Sequence, residues 1–157
     1  MNNTEYEIVR LQPGRSLPFH LLLLADETVE AIEKYIYIGD VYIVKQKDAT
    51  AAVGAFALCK ISVAEVEIKN IALLEPLQGQ GIGSYMINEI KRIAIAHHYK
   101  RIIVGTPDNS SRLIRFYEKN GFIRYAVRKD FFIKNYPTPI IENGFVLRNM
   151  VMLKLDL

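Results

Sequence analysis

The sequence predicts an α+β domain in three layers: a mixed, mostly antiparallel sheet of six to seven strands with helices on both faces. Three observations carry this. Three β-rich runs follow one another, "VYIVKQ", "AAVGAFALCKI" and "VAEVEIKNIALL", parted by polar turns, which reads as an antiparallel meander. A glycine-rich loop, a helical apolar pattern and the short buried strand "RIIVG" come next, so a crossover joins the last strand of the meander to a parallel neighbour. The length of 157 residues, half of them apolar, suits one domain with a real core, spanning residues 1–157.

The elements follow in order. "EYEIVRL", residues 5–11, alternates weakly and predicts a strand closed by Pro13 and Gly14. Residues 17–38 predict mostly helix, with Asp26 as an N-cap and Val29, Ile32, Tyr35 and Ile36 on one face. After the meander, Ile82, Met86, Ile90, Ile93, Ala94 and His97 keep helical spacing to about residue 98. "SSRLIRFYEKN" predicts a helix that Asn120-Gly121 ends with a left-handed cap. "FIRYAVR" and "GFVLRNMVMLKL" predict the remaining strands.

Within "AEVEIKNIALL" the apolar positions are even at Val66 and Ile68, then odd at Ile71 and Leu73. An uninterrupted strand cannot change face, so an extra residue near 69–70 must bulge out. A bulge there bends this strand away from "RIIVG".

Composition narrows the function. Twenty basic against 17 acidic residues give a net charge of +3 without any block of like charge, which argues against a dedicated nucleic-acid binder. The single cysteine, Cys59, forms no internal disulfide and points to a reducing compartment. No run approaches the roughly 20 apolar residues that span a bilayer, and "MNNTEYEIVRLQPG" lacks a secretory signal. A cytoplasmic protein without membrane association is expected. His20, His97 and His98 have no metal-ligand spacing with Cys59 or with carboxylates, so no metal is expected.

"EPLQGQGIGSYM", residues 75–86, places Gly79, Gly81 and Gly83 directly before a helix. A strand-to-helix loop offers unpaired N–H groups and the positive end of the helix dipole, so it favours an anion. Bare α-carbons let phosphate oxygens approach the backbone. A nucleotide-triphosphate loop needs Lys-Ser/Thr after its last glycine, where Ser84 follows Gly83 instead. A dinucleotide fingerprint needs glycine at 84 and a parallel strand near the chain start, and both are missing.

The pattern Gln78-x-x-Gly81-x-Gly83 resembles the acetyl-coenzyme A loop of the GCN5-related N-acetyltransferase (GNAT) family. Four stretches match that family in order: "EVEIKNIAL", "NIALLEPLQGQGIGSYMI", "RIIVGT" and "NSSRLIRFYEKNGF". The tail "DFFIKNYPTPIIENG" is similar to a bacterial branch described as small-molecule or aminoglycoside-like acetyltransferases. The resemblance covers residues 41–128 well and implies acetyl-coenzyme A as co-substrate, with a pantetheine arm lying between the splayed strands.

It also implies roles for particular residues. Gln78, Gly79, Gln80, Gly81, Ile82, Gly83 and Ser84 would hold the pyrophosphate through backbone donors. Ala72 and Leu73 would pair with pantetheine, the Leu73 N–H polarising the thioester carbonyl. Tyr117, protonated at neutral pH, would reprotonate the departing thiolate. Glu67 would take the proton of an ammonium acceptor directly or through a water, with Glu65 on the same strand face as the competing candidate. Asn109 would touch the cofactor, although the family's asparagine seven residues before the tyrosine corresponds here to Ser110; capping also accounts for either residue.

Residues 130–144 either cover the acceptor site, with Glu142 meeting a cationic group, or connect strands or contact a second copy. The apolar C-terminal strand is a candidate homodimer contact. Transfer to a small-molecule or peptide amine in a ternary complex is the expected activity. A non-catalytic acyl-coenzyme A sensor and a purely structural domain are the alternatives, and thiol release with amines separates them.

Overall fold

The computed structural model describes residues 5–157. Strand β1 (Tyr6–Arg10) leads through two short helices, α1 (Phe19–Leu22) and α2 (Val29–Glu33), into the meander β2 (Asp40–Gln46), β3 (Ala52–Lys60) and β4 (Glu65–Leu73). A single 3₁₀ turn at Glu75–Leu77 precedes α3 (Ile82–Ala96). Then come β5 (Arg101–Pro107), α4 (Ser111–Lys119), β6 (Ile123–Arg128), α5 (Phe131–Asn135), the hairpin strands β7 (Ile141–Glu142) and β8 (Phe145–Val146), and β9 (Met150–Asp156). Seven strands form one sheet in the order β1-β2-β3-β4-β5-β9-β6. All its neighbours are antiparallel except β4 and β5.

The two faces of the sheet carry different layers. Ile82, Met86, Ile87 and Ile90 of α3 and Ile114 and Tyr117 of α4 pack with Phe56, Ile68, Val104 and Leu153 on one face. Leu21 and Leu22 of α1 and Ile32, Tyr35 and Ile36 cover Ala55, Ala57 and Cys59 on the other. Fully burying a side chain the size of leucine or isoleucine contributes about 1.5–3 kcal/mol, so each layer is anchored by its helix stripe.

Residues 17–38 depart from the expected long helix. Thr28, extended at φ −142°, caps α2 by accepting the Ala31 N–H at 3.1 Å, so Thr28 and not Asp26 is the N-cap. Asp26 instead accepts hydrogen bonds from Tyr35 and Tyr136. Val29 sits on the exposed side of the helix, and Ala31 is buried in its place.

The predicted last strand is also divided. Asn143 and Gly144 both take positive φ, 52° and 82°, making a tight hairpin turn between β7 and β8. Only Met150–Asp156 joins the main sheet. β9 lies between β5 and β6 with Val151, Met152 and Leu153 buried, so both its edges are engaged inside the chain. Phe132, Ile140 and Leu147 form a small core of their own, which makes residues 130–147 an ordered flap.

The bulge in β4 falls at Lys69. Ala57 pairs with Asn70 and Leu58 with Ile68, leaving Lys69 without a partner in β3. Before it, Glu65 and Glu67 face the α1 side; after it, Asn70 and Ala72 do.

Candidate active site

The parallel ladder between β4 and β5 runs from Glu65 opposite Arg101 to Ile68 opposite Val104 and stops there. Beyond the Lys69 bulge the strands part, and β5 continues to Pro107 paired only with β9. The gap opens into a cleft of about 670 Å³. Asn70, Ala72 and Leu73 border it from β4; Gly105, Thr106 and Pro107 border it from β5. Strand alternation orients the β4 backbone there. Leu74 N–H bonds Val53 O of β3 at 2.9 Å, so the N–H of Leu73 points to the opposite side, into the cleft.

The glycine loop closes one end. Among the described residues, the six consecutive N–H groups from Gly79 to Ser84 have no acceptor. Gly79 and Gly81 hold φ of 77° and 87°, a left-handed geometry that costs an L-residue about 1–2 kcal/mol, and Gly81 is the N-cap of α3. Gly83 answers to a different demand, because a β-carbon there would stand 3.1 Å from the Phe116 ring of α4. Gln78 steadies the loop by donating to Leu73 O at 2.9 Å. Arg112 donates to Gln78 Oε1 at 3.4 Å and sets a cation beside the free amides. Unpaired amides, a helix N-terminus and a guanidinium together suit a pyrophosphate.

The α1 side of the cleft is built differently. Asn70 donates from Nδ2 to Leu22 O at 2.9 Å and to Tyr35 Oη at 3.0 Å. Tyr35 in turn donates to Asp26 Oδ2 at 3.0 Å, and Tyr136 donates to Asp26 Oδ1 at 2.6 Å. Burial pushes both phenols up, so they remain donors. Leu24, Ala25, Glu142 and Asn143 complete this wall.

A model of the acetyltransferase (GNAT) family matches residues 16–122. An uncharacterized N-acetyltransferase of Bacillus subtilis, YvbK, is 36% identical over 139 residues, 88% of each chain. The chain belongs to the GNAT acetyltransferase family. A GNAT acetyltransferase of Elizabethkingia anophelis, solved with acetyl-CoA bound, superposes with a TM-score of 0.92 at 35% identity, over 98% of this chain and 99% of that one. A Bacillus subtilis acetyltransferase solved with CoA gives a TM-score of 0.86 at 33% identity, over 98% and 99% of the two chains.

Against the GNAT frame, the residues singled out in the sequence fall into two groups. Ala72, Leu73, Gln78, Gly79, Gly81, Gly83, Ser84, Asn109 and Tyr117 all border the one cleft. Gln80 and Ile82 do not border it: the Gln80 side chain bonds Pro76 O at 3.1 Å, and Ile82 is fully buried in the core. Tyr117 lies edge-on to Phe116 and Phe122, with ring centroids 5.2 and 5.5 Å away. Its hydroxyl bonds none of the described residues, and burial pushes its phenol up. Asn109 and Ser110 precede α4, and Ser110 makes no side-chain capping bond.

Glu67 stands apart. It is 4% exposed and does not border the cleft. Lys69 Nζ lies 3.9 Å and Arg128 Nη1 3.6 Å from its carboxylate. Glu65 is drawn to Arg101 at 3.6 Å.

Sequence reasoning passed over Asn70, Arg112 and Glu27. Parity at the bulge is the one local signal for Asn70, since it sets that residue opposite Ile71 and Leu73, but its partners lie 48 and 35 residues away. Among the described residues, no group of three or more His, Cys, Asp or Glu side chains is placed to hold a metal ion, and no helix is long and apolar enough to cross a membrane.

Proposed function

We propose that this GNAT acetyltransferase moves the acetyl group of acetyl-coenzyme A straight onto a small-molecule or peptide amine, both substrates being bound together. One observation carries the reading: a loop of unpaired amides, through Gly79, Gly81, Gly83 and Ser84, and a pair of parted strands border the same cleft. The amides and Arg112 hold the pyrophosphate, and the parted edge of β4 pairs with the pantetheine arm like an added strand.

Chemistry then falls to few groups. Held beside the thioester, the amine nitrogen attacks the carbonyl carbon, and the Leu73 N–H supports the negative charge gathering on its oxygen. The carbon–sulfur bond breaks, Tyr117 passes its proton to the leaving thiolate, and the acylated nitrogen gives up its surplus proton through solvent to the tyrosinate, leaving a neutral amide and a restored phenol. Before attack the ammonium must lose a proton. Because Glu67 lies behind the cleft wall, as base it accepts that proton through an intervening water. Cys59 takes no part: burial raises its thiol to about 11, and Sγ lies against Tyr35 O at 3.7 Å.

A thiol-release assay with acetyl-coenzyme A and a panel of primary amines tests the proposal. Amine-dependent release of free coenzyme A is expected. Tight binding of acetyl-coenzyme A with no release for any amine would overturn it in favour of a sensor.

A further inference from the structure

At the last residue of β4, one backbone group is in use and its neighbour is idle. The N–H and C=O of a strand residue point the same way, so at Leu73 both face the cleft, beyond the stretch where β5 runs alongside. A carbonyl stranded there without a donor would cost about as much as a lost hydrogen bond. Gln78 supplies the donor: its Nε2 lies 2.9 Å from Leu73 O, five residues further along the chain. Among the described residues, nothing takes up the Leu73 N–H.

The reach is built into the turn. Leu77 N–H bonds Leu74 O at 2.9 Å and Gln78 N–H bonds Glu75 O at 3.1 Å, which closes the 3₁₀ turn and folds Gln78 back toward the strand end. At the other end of the same side chain, Arg112 Nη2 approaches Oε1 at 3.4 Å. A backbone carbonyl only accepts and a guanidinium only donates, so both contacts hold the amide the same way round. Glutamate at 78 would set two acceptors against each other at Leu73, and leucine would make neither contact. Glutamine answers both.

We propose that Gln78 is a positioning residue for acyl transfer: by capping Leu73 O it fixes the end of β4 so that Leu73 presents a lone donor, and that donor selects the thioester carbonyl. A molecule lying along this edge gains at Leu73 by bringing an oxygen and gains nothing by bringing an N–H. This rests on the acetyltransferase reading above and deepens its account of Leu73.

Calorimetry compares acetyl-coenzyme A with S-ethyl-coenzyme A, which has CH₂ in place of the carbonyl, on the native protein, Q78L, Q78E and R112A. Both ligands carry the same pyrophosphate, so their affinity ratio reports the carbonyl alone. The native protein should favour the acetyl form about three- to tenfold, the worth of one hydrogen bond. In Q78L and Q78E the ratio should fall to about one, whereas R112A should weaken both ligands together and keep it. In thiol release, Q78L should lower kcat about tenfold or more. A native ratio near one, a ratio that survives both Gln78 variants, or an unchanged kcat would overturn the proposal; equal losses for both ligands would mean that Gln78 only shapes the loop. The binding comparison needs no amine, so a native protein that releases no coenzyme A with any amine would defeat the acetyltransferase reading separately.

Discussion

Tyr136 donates a 2.6 Å hydrogen bond to Asp26 Oδ1 across 110 residues of sequence. This bond ties the flap bearing Glu142 to the loop bearing Glu27, and Lys34 reinforces it by donating to Asn135 O at 3.3 Å. Tyr136→Phe keeps the ring stack on Phe132, centroids 6.0 Å apart, and removes only the bond. The expected result is a KM for the amine raised several-fold, unchanged coenzyme A affinity, and a stability loss of about 1–3 kcal/mol. Steady-state kinetics and denaturant unfolding check it; an unmoved amine KM would show that the flap is not held by this bond.

Tyr117→Phe leaves its aromatic contacts intact and takes away the proton donor. Turnover should fall about a hundredfold or more while coenzyme A binds as before. Burial shifts the phenol upward, so it stays protonated as pH rises through the neutral and mildly alkaline range. A decline in native activity centred below pH ~10 would therefore have to come from another group.

Gly81 adopts φ 87° at the N-cap of α3. Gly81→Ala forces an L-residue into that geometry or moves the loop, at about 1–2 kcal/mol, so coenzyme A should bind roughly 5- to 30-fold more weakly. Calorimetric titration measures this directly, and equal affinity would show that the loop's shape is not what binds the cofactor.

Cys59 offers a chemical check on the buried α1 layer. With its thiol raised to about 11, only roughly one part in a thousand is thiolate at pH 8. Iodoacetamide should leave the folded protein unmodified over hours and alkylate it promptly in denaturant, as read by intact mass. Rapid alkylation of the native chain would mean that this layer opens readily.

Much of the fold was legible because its signals are local. The switch of apolar parity between Val66, Ile68 and Ile71, Leu73 located the bulge to within a residue, and Asn120-Gly121 located the end of α4, where Gly121 takes φ 97°. Asn143-Gly144 carried an equally strong turn signal, but the predicted last strand began at Gly144 and so merged β8 of the hairpin with β9. The glycine loop was readable for the same local reason. The α1 side of the cleft was not: Asn70, Leu22, Tyr35, Asp26 and Tyr136 meet through contacts made only when the chain is folded. A capping pattern made Asp26 look like the start of a helix, and tertiary demand for its carboxylate decided otherwise.

Lys69 matters more as a unit of spacing than as a side chain. Substitutions there should be tolerated by the fold, since the residue has no partner in β3. Deleting it would turn the two halves of β4 into one continuous ladder, with Asn70 and Ala72 still in phase with Glu65 and Glu67 on the α1 side, and let β5 close against the full length of its neighbour. The groove is thus written into the chain as a count of residues, which makes it vulnerable to a three-nucleotide loss that any composition-based comparison would overlook.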